Sequence, residues 1–382
     1  MKLSTDRILT THVGSLPRSA PVCELLIAKE KGKPYDPETF ERTMRDEVKA
    51  VVKKQVETGI DVVSDGETAK IGYSTYMQER LTGFGGHVDR KTALDLADYP
   101  ELRKKLAVIM GPQEFNRASC IGPVAVKTLE PLERDLRNFK AALPGSGAAE
   151  GLLNAASPGV VAAFQLNKYY KTNAEYVGAI AAAMKPEYDA IVKAGFLLQV
   201  DCPDLAMARH TGFQDLSDAE FVARTEENVE ALNAALADIP ANRVRIHICW
   251  GNYEGPHDHD IDLRKVMPSI LKAKAQAIAF EAANPRHDHE WAVWKEAKLP
   301  DDKVLIPGVL DTCTNYVEHP ELIAQRLERY AEIVGRERVL GGTDCGFGTF
   351  AGYGKVDPAV AWKKLKALVE GAELASKRLW KR

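Results

Sequence analysis

The sequence predicts an α/β fold: a (β/α)8 TIM barrel with elaborated loops after strands 2, 3 and 5, spanning residues 1–382 as a single domain. Two patterns lead there. Short apolar runs recur along the whole chain, and each turns polar or glycine-rich at its C-terminal end. A strand buried on both faces of a parallel sheet reads this way as it leaves the core. Between these runs lie longer segments with apolar residues at helical spacing, and strands alternating with helices imply parallel βαβ units. Eight strands suit closure, and 382 residues suit a barrel with insertions, a class that runs from about 200 to over 400 residues.

The strand candidates, in order, are ILTTHVGS (8–15), IDVVSDGE (60–67), ASCIGPVAV (118–126), FLLQVD (196–201), RVRIHIC (243–249), AIAFE (277–281), VLIPGVLD (304–311) and RVLGGTDC (338–345). The helix signals are local. Asp36-Pro37 supplies an N-cap followed by proline at the first helical position. Phe40, Met44, Val48, Val52 and Val56 then form an apolar stripe that Gly59 can close. The same grammar recurs at His319-Pro320, ending at Gly335, and at Asp357-Pro358. Two stretches exceed a minimal barrel, residues 84–117 and 127–195. The second includes ALPGSGAAEGLLNAASPG. Neither is bounded by a low-complexity linker, so both read as elaborations of one domain.

Composition removes several classes of function. Hydrophobic content of 45% with 27% charged residues is that of a globular protein. A net charge of −3 gives no reason to expect nucleic acid or an anionic membrane as partner. Six cysteines are spread without the density of a disulfide scaffold and read as reduced thiols or ligands. The start, MKLSTDRILTTHVG, has no apolar signal core, and no apolar run approaches the roughly 20 residues of a membrane span. A cytoplasmic location is expected.

In a barrel of this order all strand ends face one rim. The polar residues there are His12, Ser15, Asp65, Glu67, Asp201, His247, Cys249, Glu281, Asp311, Asp344 and Cys345. Asp and Ser at such positions often cap the helix that follows, the reading for Asp311 and Asp344. His247, Cys249, Glu281 and Cys345 differ. A single strand-end His or Cys is more often packed than ligating, but this set gathers imidazole, thiolate and carboxylate, which together suit Zn2+. Their wide separation excludes a zinc finger, whose ligands come from short local loops. The loop GNYEGPHDHD (His257, His259) and the run His287-Asp288-His289-Glu290 read as polar loops rather than a second metal site.

At this point the sequence resembles the catalytic barrel of cobalamin-independent methionine synthase and its short single-domain relatives. The resemblance rests on THVGSLPR, DVVSDGE, GPVAV, LQVDCP, HIC, the strand ending at Glu281, PGVLD and TDCG, in family order over nearly the whole chain. It implies a zinc-dependent thiol alkyltransferase, with methyl transfer from a methyl-folate or other donor to homocysteine, giving methionine. By that analogy His247, Cys249, Glu281 and Cys345 hold Zn2+. Glu67 and Asp201 take the substrate ammonium, and Val13 to Ser15 its carboxylate. Asp201 as a strand-end cap and Glu67 as a surface carboxylate are the plainer alternatives.

Departures fall on the donor side. Where the synthase carries Asp-x-His after strand seven, this chain has Asp311-Thr312-Cys313, so the leaving group's proton would come from Cys313 or from a histidine such as His257. Strand four ends Asp-Cys-Pro in place of Asp-Glu-Pro. The implied partners are a small-molecule thiol and an alkyl donor, with a homo-oligomer left open. Two other readings compete. One is an epoxyalkane:coenzyme M transferase-type addition of a zinc-bound thiolate to another electrophile, for which Arg18 is the candidate cation. The other is a non-catalytic barrel binding zinc or a corrinoid carrier.

Overall fold

A computed structural model describes residues 1–89, 91–110 and 116–381. Its centre is a curled sheet of six parallel strands, in the spatial order β2 (Val62–Ser64), β3 (Glu150–Ala156), β4 (Leu197–Asp201), β5 (Val244–Ile248), β6 (Ala277–Phe280) and β7 (Val304–Pro307). A further parallel pair, β1 (Leu9–Thr10) and β8 (Leu340–Gly341), lies at its margins. Single bridges join Leu305 to Val339 and Gly308 to Gly342 on one side. On the other, Asp61 N donates to Thr10 O at 3.2 Å and Leu16 N to Gly66 O at 3.1 Å.

Alternation along the strands creates layers inside the curl. Leu9, Val62, Leu152, Leu197, Ala277, Ala279, Val304, Ile306 and Leu340 form one apolar cluster. Two residues on from Leu152 and Leu197 come Asn154 and Gln199, and one step further along β4 comes Asp201. On β5 the same step leads from Arg245 to His247 and then Cys249. The sheet therefore changes from apolar to polar toward its C-terminal ends. Helices cover its outside, as their sequence signals require. The Asp36 side chain accepts from Thr39 N at the start of Pro37–Thr58, and Gly59 closes that helix at φ 104°. His319 and Asp357 cap Pro320–Val334 and Pro358–Leu379.

One expected strand is misplaced. Within 118–126 only Ser119–Cys120 is extended, and it pairs antiparallel with Phe84–Gly85, outside the curled sheet. Gly122-Pro123 interrupts the run, and proline cannot donate to a ladder. The third parallel strand is Glu150–Ala156, from the segment expected to be an elaboration. Its Leu152 to Ala156 are all buried, and tertiary burial outweighs the weak strand propensity of Ala and Asn. The excursion after β2 thus runs from residue 65 to 149.

Candidate functional site

The C-terminal strand ends open into a cavity of about 340 Å³. Val13, Ser15, Glu67, Asp201, His247, Cys249 and Cys345 line its inner end, and Lys91, Thr92, Leu96 and Arg103 its outer end. Seven residues singled out from sequence thus meet in one place, although they come from five separate strand ends.

His247, Cys249 and Cys345 offer one ligand atom each, all within 4.8 Å of one another. The two Sγ atoms are 3.8 Å apart. His247 is buried, and burial, with the Arg245 guanidinium second, pushes its pKa down to about 3, the Ala279 backbone opposing slightly. Neither ring nitrogen makes a hydrogen bond of ordinary geometry. A neutral imidazole with unsatisfied nitrogens beside two thiols is a donor set suited to a thiophilic divalent metal. The Cys249 thiol is held protonated by its contact with Cys345, then by burial and by Glu281; a bound cation would reverse this. Glu281 abuts this trio, with Oε1 accepting from Trp250 N at 2.7 Å and Oε2 from Asn284 Nδ2 at 2.6 Å.

Glu67 and Asp201 form the acidic part of the inner wall. Both are buried, so the surface reading of Glu67 does not hold. Glu67 sits at φ 52°, a region rarely used by a residue with a side chain. It is pinned there by Arg18, which donates to its carbonyl at 2.8 and 3.2 Å, and by its own N–H to Asp65 Oδ1 at 2.9 Å. Its Oε2 has no hydrogen-bond partner. Asp201 accepts from Asn154 Nδ2 at 3.0 Å and Gln199 Nε2 at 2.8 Å. Burial raises both carboxyls above their usual range, most strongly at Glu67, where Asp201 adds to the rise and Lys70 opposes it. Among the described residues neither makes an ion pair within 4 Å, although Lys70 acts on both at longer range, Arg18 on Glu67 and Arg245 on Asp201; Lys70 Nζ is spent on Asn154 O at 2.7 Å. Two buried carboxyls whose nearby cations are engaged with backbone or other side chains form a place for a ligand's positive charge.

At the Val13–Ser15 turn the carbonyls are taken: Gly14 O accepts from Ser64 Oγ at 3.0 Å and Ser15 O from Phe347 N at 2.8 Å. Val13 N donates to Thr343 Oγ1 at 3.1 Å, and its carbonyl accepts from Asn154 at 2.7 Å and from Gln199. Gly14, at φ 147°, lies where a side chain would run into Asn154. The Ser15 hydroxyl faces the cavity and accepts a long bond from Gly348 N at 3.4 Å.

Cys313 and His257 are not in the lining. The Cys313 thiol donates to Asn252 Oδ1 at 3.2 Å. His257 engages Asp260 Oδ2 and Tyr253 O, both at 3.0 Å. They stand behind Asn252 and Tyr253, which do line the cavity. Asp311 and Asp344 cap no helix: Asp311 accepts from Cys313 N and Thr314 N, and Asp344 holds the neighbouring turn through Ala282 N, Ala283 N and Asn284 N. Arg18 serves backbone carbonyls at Glu67 and Gly348. Sequence reasoning missed Asn154, Gln199, Tyr253 and Asp95. Gln199 alone carried a signal, two residues before Asp201 on a strand otherwise apolar.

Residues 8–116 and 149–373 match the cobalamin-independent synthase catalytic domain. The chain is 25% identical over 371 residues to a methionine synthase of Thermococcus kodakarensis, covering 97% of this chain and 94% of that protein. It is 26% identical over 371 residues to a methionine synthase of Saccharolobus solfataricus, covering 97% and 95%. Among solved structures it resembles a B12-independent methionine synthase from Shewanella sp. W3-18-1 in complex with selenomethionine, with TM-score 0.74, 20% identity and coverage of 98% and 100%.

Proposed function

The chain belongs to the family of cobalamin-independent synthase catalytic domains, and we propose that it is a zinc-dependent methyltransferase that methylates homocysteine to methionine. In this reading the curled sheet and the marginal pair together make a closed (β/α)8 barrel, the single bridges beside β8 and the Asp61–Thr10 bond serving as its seam. One observation carries the functional assignment: three side chains placed to hold a metal and an acidic pair with no ion-pair partner among the described residues share the inner end of one cavity.

His247, Cys249 and Cys345 would hold Zn2+, with Glu281 as a fourth, exchangeable donor. A bound zinc ion would supply the Lewis acidity that keeps an incoming thiol as thiolate at neutral pH. Glu67 and Asp201 bind the ammonium and so aim the substrate sulfur at the cluster; Asn154 and Gln199 keep Asp201 in place. The Ser15 hydroxyl, together with the backbone of the Val13–Ser15 turn, would donate to the substrate carboxylate. The aromatic residues Tyr73, Phe164 and Phe350 wall the cavity toward its outer end and keep water from the reacting sulfur. Cys313 and His257 would position Asn252 and Tyr253, standing one layer too far back to reach a methyl donor directly.

The acidic pair disfavours the coenzyme M-type alternative, because a sulfonate would face two carboxylates, and Arg18 is committed to backbone oxygens. Metal analysis with a thermal-shift screen against homocysteine, coenzyme M and glutathione tests the proposal. One zinc per chain and the largest stabilisation with homocysteine are expected. A metal-bearing protein indifferent to every thiol would support the non-catalytic reading.

A further inference from the structure

The outer wall of the cavity, residues 91–103, belongs to the long excursion after β2, and its fastening to the rest of the molecule is specific. Asp95 is fully buried at 0% exposure. Its Oδ2 accepts from the Tyr253 hydroxyl at 2.6 Å and from His257 N at 3.1 Å. Nearby, Asp98 meets His259 Nε2 at 2.7 Å and Tyr99 OH donates to Asp258 Oδ2 at 3.2 Å, both at exposed positions. Exposed contacts of this kind contribute little. Better covered are the short, part-buried phenol–carboxylate bond and the part-buried bond from Gln214 Nε2 to Thr92 O at 2.6 Å, and of these two the first is the one that reaches the 250–260 turn.

Tyr253 is also tied to the metal cluster. Gly251 N donates to Cys249 Sγ at 3.3 Å, and Tyr253 N donates to Gly251 O at 3.1 Å. Gly251 sits at φ 134°, and a Cβ there would lie 2.5 Å from the Tyr253 ring, so the turn packs against itself without slack. Behind it, the Tyr253 and His257 rings stack at 4.4 Å. Asp260 Oδ2 joins His257 and His287 at 3.0 Å each. His287 in turn packs on the Trp250 ring at 4.2 Å, and the Trp250 backbone N–H donates to Glu281 Oε1. One turn thus touches the candidate ligands at one end and the roof at the other.

We propose that the 250–260 turn is a clasp that couples metal binding to ordering of the 91–103 roof, with Tyr253 and Asp95 as the positioning residues through which it acts. The inference rests on the metal assignment made above. Coupling of this kind is reciprocal: if metal orders the roof by some factor, fastening the roof tightens metal binding by the same factor.

Hydrogen exchange of the 91–103 amides, in zinc-loaded and zinc-stripped protein, reads one direction. Zinc affinity by competition with a chromogenic chelator reads the other. In the wild type, zinc should slow exchange of the roof by about fivefold or more. Tyr253→Phe, which removes one hydroxyl, should cancel most of that slowing and weaken zinc by a similar factor. Asp95→Asn should do the same. A merely structural Tyr253 would loosen the roof equally with and without zinc, and that result overturns the coupling. So does a wild-type roof whose exchange ignores zinc in a normally loaded protein. A wild type that takes up no zinc overturns the metal assignment, and the clasp with it.

Discussion

At its inner end the cavity is walled by residues on the ends of parallel strands: Asp201 ends β4, His247 lies near the end of β5 and Cys249 follows it, and each is buried. At its outer end the wall is the 91–103 segment, tied to the 250–260 turn by Asp95 and Tyr253. Strand ends inherit the rigidity of a sheet bonded on both sides, so ligands placed there hold their geometry before anything binds. Among the described residues the roof is fastened by side-chain contacts made across the chain. In the proposed reading the difference divides the work: fixed chemistry below, adjustable enclosure above.

The strongest way to break this division is to remove a ligand from the inner end. Cys249→Ser or Cys345→Ser should reduce zinc content from one per chain to near none, with a cooperative unfolding transition retained, because the site lies above the apolar layers of the sheet. Zinc retained in both variants would contradict the assignment.

A smaller effect concerns the acidic pair. Homocysteine should bind better than coenzyme M by roughly tenfold to a hundredfold, the worth of a charge-assisted contact of about 1–3 kcal/mol in a dry site. Glu67→Gln should erase much of that preference. Tighter binding of coenzyme M to the wild type would bring the epoxide-type alternative forward.

An effect of similar size is on stability and has a definite sign. Burial lifts Glu67 from 4.5 to about 7, so between those values the folded state binds more protons than the unfolded one, and stability falls as pH rises through that window. Without ligand, Glu67→Gln should therefore stabilise the protein at pH 7.5, by about 1–3 kcal/mol. The gain should fade toward pH 5. Denaturant titrations of both proteins at the two pH values measure this; a gain that does not fade toward pH 5, or no gain at pH 7.5, would contradict the raised Glu67 pKa.

The inner end was legible in the sequence for the reason that makes it rigid. Strands buried on both faces read as apolar runs, and a polar residue where such a run ends is conspicuous, as at His247, Glu281 and Asp201. Where the run itself was weak, reading failed. Glu150–Ala156 lies in an Ala/Gly-rich segment that reads as an elaboration, and ASCIGPVAV reads as a strand it mostly is not. The roof was illegible for a different reason. Asp95 and Tyr253 are 158 residues apart, and nothing local in either segment announces the other. Glu67 lies between these cases: its position at a strand end was visible, but its burial and its φ of 52° depend on how Arg18 and Asp65 hold the turn.

The central claim is that a thiol substrate joins a metal held at the inner end. X-ray absorption at the zinc edge, with and without homocysteine, tests it directly. The account predicts a change from two sulfur ligands, Cys249 and Cys345, to three when homocysteine is added; a metal shell that keeps two sulfurs in the presence of saturating homocysteine would contradict it.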